Sequence, residues 1–295
     1  NTQAQSDAIA AQLQQQGMQN VVVDFAMRYG NPSFDSVLDK MFAQGVRKLV
    51  VLPLYPQYSA STSASSFDEL ARNFMRRRWL PDLRFVSHYP DYAPFIAAAA
   101  DKIRRHWQQH GQADKLILSY HGIPKRYLLN GDPYHCECYK TSRLIAEQLG
   151  LNKDQYMTTF QSRFGREEWL KPYTDATLKY LPTQGVKSVQ VFCPGFSADC
   201  LETIEEIAEE NKEYFLHAGG ERYEYISALN AEPEHIDALC QLIKDNLQGW
   251  QVNAEPERSV RANTLQQEKY GEYPACMSAP QGPQSRTEPT LNAKP

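Results

Sequence analysis

The sequence contains no apolar run near the roughly 18 residues that a membrane-spanning helix requires. Its first residues, NTQAQSDAIAAQLQQQ, are polar and helical in pattern rather than charged then apolar as in a signal peptide. No G-x-G-x-x-G or G-x-x-x-x-G-K-[ST] cradle occurs, which argues against a nucleotide as the main ligand. Basic excess is missing too. Lys and Arg number 31 against 35 Asp and Glu, a formal net charge of −4, so there is no electrostatic footprint for nucleic acid. Cysteine is scarce. Six in 295 residues make no secreted disulfide framework and point to a reducing, cytosolic setting, where clustered thiols more often hold metal than crosslinks.

Two of the six stand in YHCECYK (134–140), with Cys136 and Cys138 flanking one glutamate behind His135. Thiols one residue apart do not easily close a disulfide with each other. Metal binding, redox chemistry and no chemistry at all remain open for them.

The chain is long enough for one large or two small cores. Short β-branched runs alternate with helical stretches. Strands are expected at 20–27, 47–54, 83–89, 115–121, 156–162 and 187–193, with a weaker one at 223–227. Helices are expected at 3–16, 33–44, 65–79, 92–109, 139–149, 168–181, 199–215 and 233–247. Alternation of this kind predicts an α/β fold with mainly parallel sheet flanked by helices. From Gly249 the pattern stops, and Pro, Gln, Ser and Thr with few large apolar residues predict a disordered tail over 249–295.

The order of the segments repeats. R-Y-G (28–30), A-Q-G-V-R (43–47), a strand, V-S-H-Y-P-D (86–91) and APFIAAAADKI are answered by R-F-G (163–165), T-Q-G-V-K (183–187), a strand, I-S-A-L-N-A (226–231) and PEHIDALCQLI. Four matches in one order argue for two similar α/β halves related by duplication: 1–112 and 113–232, with 233–248 as a helix packing back on the first half. The second half opens on a strand, KLILSYHGIP, and a long loop, whereas the first opens on a helix. A sheet without that inner strand would leave backbone groups unpaired, so the natural N-terminus is expected to extend further.

In doubly wound folds ligands sit at the carboxyl edges of parallel strands. Those edges deliver His121, followed by Gly122 and Pro124; Tyr55, Tyr58, Ser59 and Ser61; and Cys193, Cys200 and Glu202. A histidine at a strand end faces a cleft or bonds a loop carbonyl, and position alone leaves both open. After Asp199 come Glu202, Glu206 and Glu210, at i, i+4 and i+8, which share a helix face. Asp199-x-x-Glu202 reads as a capping box, and solvated surface explains Glu205 and Glu209. A carboxylate stripe that starts at a cleft can instead pass a divalent cation.

LYPQYSASTSASS (54–66), SYHGIP (119–124), TFQSRFGREEWLKPYT (159–174) and CLETIEEI (200–207) together resemble the motifs of ferrochelatases, which insert Fe(II) into protoporphyrin to make haem. The resemblance runs from residue 1 to about residue 248. It implies two Rossmann-like halves with the porphyrin cleft between them, and protoporphyrin IX and ferrous iron as partners. It places His121 as base and metal ligand, Glu202 as its paired carboxylate, and Glu206 and Glu210 on a proton or metal path. Arg28, Tyr29, Tyr55, Ser59 and Trp169 are implied around the macrocycle, although core packing explains Tyr55 and Trp169 equally. Neutral imidazole suits both proton abstraction and Fe(II) ligation. The family's porphyrin-gripping lip, through which peripheral membrane contact is implied, belongs to the segment expected before residue 1. The same lip would discriminate protoporphyrin from coproporphyrin. A sirohydrochlorin cobaltochelatase on the same fold and a non-catalytic Fe–S or Zn sensor are the rival readings. The oligomeric state is left open.

The family pattern often carries histidine where this chain has Cys200. A bacterial subset holds a [2Fe–2S] cluster through internal cysteines, and HCEC followed by CPGFSADC resembles it. That resemblance implies Cys136, Cys138, Cys193 and Cys200 as ligands, since four thiolates are the usual set. A Zn site and four reduced thiols are the alternatives. Cys240, on a helix, and Cys276, in the tail, are unrelated to it.

Overall fold

The computed structural model describes residues 1–250 and 252. The expected disordered tail, Cys276 included, otherwise lies outside the described residues. Helix α1 (Thr2–Gln15) and α2 (Phe34–Ala43) precede β1 (Lys48–Val51). A π-helical turn (Ala60–Ala64) leads into α3 (Ser65–Met75), then β2 (Asp82–Phe85) and α4 (Ala93–His110). The second half holds β3 (Lys115–His121), α5 (Lys125–Leu129), α6 (Tyr134–Leu149), β4 (Tyr156–Gln161), α7 (Thr174–Tyr180) with a short 3-10 turn (Leu181–Gln184), and β5 (Ser188–Phe192). A π-helix (Glu202–Glu210), α8 (Asn211–His217), β6 (Arg222–Ile226) and α9 (Pro233–Leu247) complete it. Among the described residues no helix is long and apolar enough to cross a membrane.

All strand pairs are parallel: β1 with β2, and a sheet of order β4-β3-β5-β6. The middle strand β3 is buried along its length from Leu116 to Tyr120. A strand covered on both faces needs an apolar run rather than alternation, and LILSY supplies one, with Ser119 satisfied by Gln161 and Thr174.

The duplication is in register. Lys48 pairs with Asp82 as Ser188 pairs with Arg222, both positions moved by 140. Gly45 and Gly185 have φ of 85° and 87°. Each turns the chain out of a helix in the left-handed conformation that glycine adopts without strain. Beside them Val46 N–H donates to Met41 O and Val186 N–H to Leu181 O. Ile96 N–H donates to Tyr92 O at the start of α4, and Ile236 N–H to Glu232 O at the start of α9. These two counterpart helices pack on each other. Ala98, Ala99 and Ala100 of α4 are buried, as are Ala238, Leu239 and Cys240 of α9. Ile9 and Leu13 of α1 close the same core.

Four local expectations change. Residues 20–27 form no strand; only Met27 pairs, with Ser33, as Phe160 of β4 pairs with Tyr173. Segment 20–27 is thus the counterpart of β4, which lies on β3. Among the described residues no strand separates 20–27 from β1, so its backbone has no ladder to join. The helix expected from 139 starts five residues earlier, at Tyr134, and takes in YHCEC. The helix expected from 168 starts at Thr174, because Pro172 cannot sit in a helix interior. The capping box is absent too. Asp199 accepts from the Thr203 and Tyr225 hydroxyls, Ala228 N–H and Asn230 Nδ2. It ties the start of the π-helix to the loop after β6 rather than capping Glu202.

Candidate active site

His121 is the last residue of β3, paired with Gln161 of β4. Its Nδ1 lies 2.6 Å from the Gly122 carbonyl oxygen. A carbonyl only accepts, so Nδ1 carries a proton, and in the neutral ring Nε2 is the nitrogen with the free lone pair. The two readings of a strand-end histidine are therefore compatible: one nitrogen holds the loop and orients the other. Gly122 N–H donates to Gln161 O at 2.7 Å. A Cβ on Gly122 would stand 2.8 Å from that oxygen and 3.0 Å from Trp169 Cε3. Gly122→Ala is expected to cost about 1–3 kcal/mol by overpacking, read as a lower midpoint in urea unfolding.

Trp169 is placed by the segment alongside. Lys125 N–H donates to Glu168 O and Leu170 N–H to Ile123 O. The indole lies 6.5 Å from the His121 ring, as does Phe196 from the loop after β5. Trp169 is 6% exposed, and its Nε1–H has no hydrogen-bond partner among the described residues.

His121, Trp169, Tyr55, Arg28, Cys200 and Glu202 line one cavity of about 1570 Å³. It runs on into the gap between residues 21–28 and 46–54. The walls are largely apolar side chains, with charge confined to a few positions, as in sites for large planar ligands. Glu202 is held below the usual carboxylate range, first by a hydrogen bond from the Cys200 thiol, then by its own backbone N–H, and in part by the charge of His121. Burial and the neighbouring Glu202 push the Cys200 thiol up to about 11, so it donates rather than ionises. Burial also raises the Tyr55 phenol. Arg28 donates from Nε to Ser65 Oγ at 2.8 Å and stacks 4.6 Å over the Tyr29 ring.

A model of the ferrochelatase family matches residues 1–247. The chain belongs to the ferrochelatase family. It is 68% identical over 269 residues to the ferrochelatase of Idiomarina loihiensis, covering 91% of this chain and 74% of that one. It is 63% identical over 276 residues to the ferrochelatase of Marinobacter nauticus, covering 93% and 75%. Among solved structures, SirB from Bacillus subtilis with Fe3+ superposes with a TM-score of 0.59 at 13% identity, covering 81% of this chain and 88% of that one. This last likeness shows the chelatase-type α/β fold alone.

Other residues implied by the ferrochelatase resemblance lie elsewhere. Tyr29 is 76% exposed outside the cavity wall. Ser59 is fully buried, and its hydroxyl bonds Asp132 and Ser61 rather than facing the cleft. Glu206 is engaged by Ser162, whose N–H reaches Oε1 at 2.7 Å and whose hydroxyl reaches Oε2. Ser162 has φ of 63°, uncommon for a residue other than glycine. Glu210 is exposed and off the cavity wall. Arg126, Glu167, Phe164 and Phe196 line the cavity and were not anticipated. The first follows SYHGIP by two residues, and the next two lie inside QSRFGREEW, so proximity to those motifs was the available signal.

The four cysteines of the expected ligand set form no metal-holding group among the described residues. Cys136 and Cys138 are i, i+2 on α6, and such positions do not share a helix face. Cys136 is exposed and Cys138 fully buried. Burial holds the Cys138 and Cys193 thiols well above their ordinary range. Among the described residues no group of three or more His, Cys, Asp or Glu is placed to hold a metal ion. The donor set fits neither a [2Fe–2S] cluster nor a tetrahedral zinc site.

Proposed function

We infer that the chain inserts Fe(II) into protoporphyrin IX to give protohaem. The observation that carries this reading is one cavity with both His121 and Glu202 on its wall, His121 held through Nδ1 so that Nε2 of the neutral ring is the nitrogen left to act as base or ligand. Insertion replaces two pyrrole N–H protons by the metal. Nε2 takes the two protons in turn, the Glu202 carboxylate stabilising each imidazolium so formed, and each proton passes on to water through the open cleft before the next is taken. The same two donors suit Fe(II) as a transient guest, since a substrate ion must leave the protein for the porphyrin nitrogens. Trp169 and Tyr55 offer aromatic faces to the macrocycle. Arg28 suits a propionate. We further propose that the two halves meet near residues 112–113, between α4 and β3, and that the reaction runs in a reducing compartment, consistent with five free thiols among the described residues.

Anaerobic insertion assays with protoporphyrin IX and coproporphyrin plus Fe(II), and with sirohydrochlorin plus cobalt, test this reading. Turnover is expected with protoporphyrin and Fe(II). A clear preference for either other pair would replace it. Iron and sulfide analysis of the same purified protein is expected to find no stoichiometric cluster. Two iron and two inorganic sulfide per chain would restore the [2Fe–2S] reading, and no measurable insertion would favour a sensor.

A further inference from the structure

YHCECYK carries a buried charge that neither the insertion chemistry nor the core requires. Glu137, between the two cysteines, is 8% exposed and does not line the cavity. A buried carboxylate persists only where donors replace its water, and the donors here come from the other half of the molecule. Tyr58 N–H reaches Glu137 Oε2 at 2.7 Å, and His88 Nδ1 lies 2.5 Å from Oε1. One turn along the same face of α6, Thr141 Oγ1 accepts from Gln57 Nε2 at 3.0 Å and donates to Pro90 O at 2.7 Å. Just before α6, Asp132 Oδ2 accepts from Ala60 N–H at 2.8 Å and from Ser59 Oγ at 3.0 Å. Its Oδ1 accepts from Tyr134 N–H at 3.0 Å.

Apart from His88 and Pro90, the residues held in this way belong to the segment that borders the cleft. Tyr55, Gln57, Ser61 and Thr62 line the cavity, and Tyr58, Ser59 and Ala60 between them are the clamped positions. The π-turn Ala60–Ala64 begins here, and its first N–H is satisfied by Asp132 rather than by a cap of its own segment. The same helix reaches the catalytic strand, because Tyr134 OH donates to His121 O at 2.9 Å. One rigid element therefore references both walls of the cleft: the end of β3 and the 55–62 segment.

We propose that Glu137 and Asp132 are positioning residues for the porphyrin, holding the 55–62 segment of the first half against α6 of the second so that Tyr55 and its neighbours meet the macrocycle at a fixed distance from His121. The proposal rests on the porphyrin-inserting reading above. Neither carboxylate touches the reacting atoms, so they act on binding of the porphyrin and not on proton transfer.

The test uses the full chain with Glu137→Ala, Asp132→Ala, the double variant and Glu137→Gln. Loss of one charge-assisted hydrogen bond predicts a rise of about 10-fold in porphyrin KM and in the Kd from porphyrin fluorescence titration. The kcat and the KM for Fe(II) are expected to stay within about threefold, since uniform binding alone is removed. The double variant should rise no further than the worse single one, because both carboxylates hold one segment. Glu137→Gln should restore porphyrin KM, its Oε1 accepting from Tyr58 N–H while its Nε2 donates to Nδ1 of neutral His88. Hydrogen exchange at the Tyr58 and Ala60 amides is expected to quicken in both alanine variants, a readout independent of activity. If the unsubstituted chain inserts no metal into a porphyrin, the functional reading fails by itself while exchange still tests the clamp. Unchanged exchange would overturn the clamp. Quickened exchange with unchanged porphyrin Kd, or a fall in kcat without a change in KM, would overturn its role in porphyrin positioning. Should Glu137→Ala fail to fold, Asp132→Asn, which keeps one acceptor at Oδ1, decides by the same readouts.

Discussion

His121→Ala is expected to lower iron insertion by about 10²–10⁴ in kcat, the range for removal of a general base, in a chain that still folds and still binds porphyrin. The ring is half-buried at a strand end and holds only its own loop through Nδ1, so its loss opens space without breaking the β3 ladder. Porphyrin fluorescence titration and far-UV circular dichroism are expected to match the unsubstituted protein while insertion fails. Added imidazole should restore part of the rate, since the cavity has room for it. His121→Ala with near-normal turnover would remove the imidazole from the mechanism.

The parts of the site that were legible in the sequence are those set by local backbone. KLILSYHGIP has an apolar run, a histidine at its end and a glycine that permits close approach, and all three features act within a few residues of each other. The repeat was legible for a similar reason. Gly45 and Gly185 stand at equivalent helix ends because the same φ is needed at each. Side-chain direction was not legible where it depends on a neighbouring element. YHCECYK reads as loop before a helix, but Asp132 and the first turn of α6 satisfy one another, so the helix begins earlier and sends its two cysteines to different faces. Ser59 leaves a strand edge next to Tyr55, yet Asp132 from the other half turns it away from the cleft. Glu202, Glu206 and Glu210 are evenly spaced, but Ser162 engages the middle one. The π winding of residues 202–210 rests on backbone bonds to the fifth residue along and has no side-chain signature.

Segment 20–27 shows the same limit at the level of topology. Its composition, NVVVDFAM, is that of a strand, and its Met27–Ser33 bridge repeats the Phe160–Tyr173 bridge of β4. Strand propensity describes fitness for a pleated, half-buried surface and not a backbone preference. β4 becomes a strand because β3 lies beside it along six paired positions. Residues 20–27 border the cavity in place of such a neighbour, so apolar composition alone does not produce the ladder.

Glu202→Gln is expected to lower kcat by about 10²-fold or more, the usual cost of losing a preorganised electrostatic partner. The amide keeps the size of the side chain, so binding of porphyrin should be unchanged and the defect confined to the step that charges His121. Protonation state is central to this residue. Its carboxyl lies below the usual range because the Cys200 thiol donates to it, with a smaller contribution from the charge of His121. A depressed carboxylate is ionised at all pH values above its ordinary pKa and is lost as pH falls through the lowered one. Glu202 therefore stays charged through the acidic side of the assay range. Cys200→Ala removes the first donor without removing the charge, and its acid limb in kcat/KM should move to higher pH while the neutral rate stays within about threefold. The thiol itself, at about 11, contributes no limb near neutrality. The pH profiles of the unsubstituted chain, Cys200→Ala and Glu202→Gln, measured with the same porphyrin and anaerobic Fe(II), check all three points. Equal kcat in Glu202→Gln would leave His121 without a partner of opposite charge and would make Glu202 a surface residue at the mouth of the cavity.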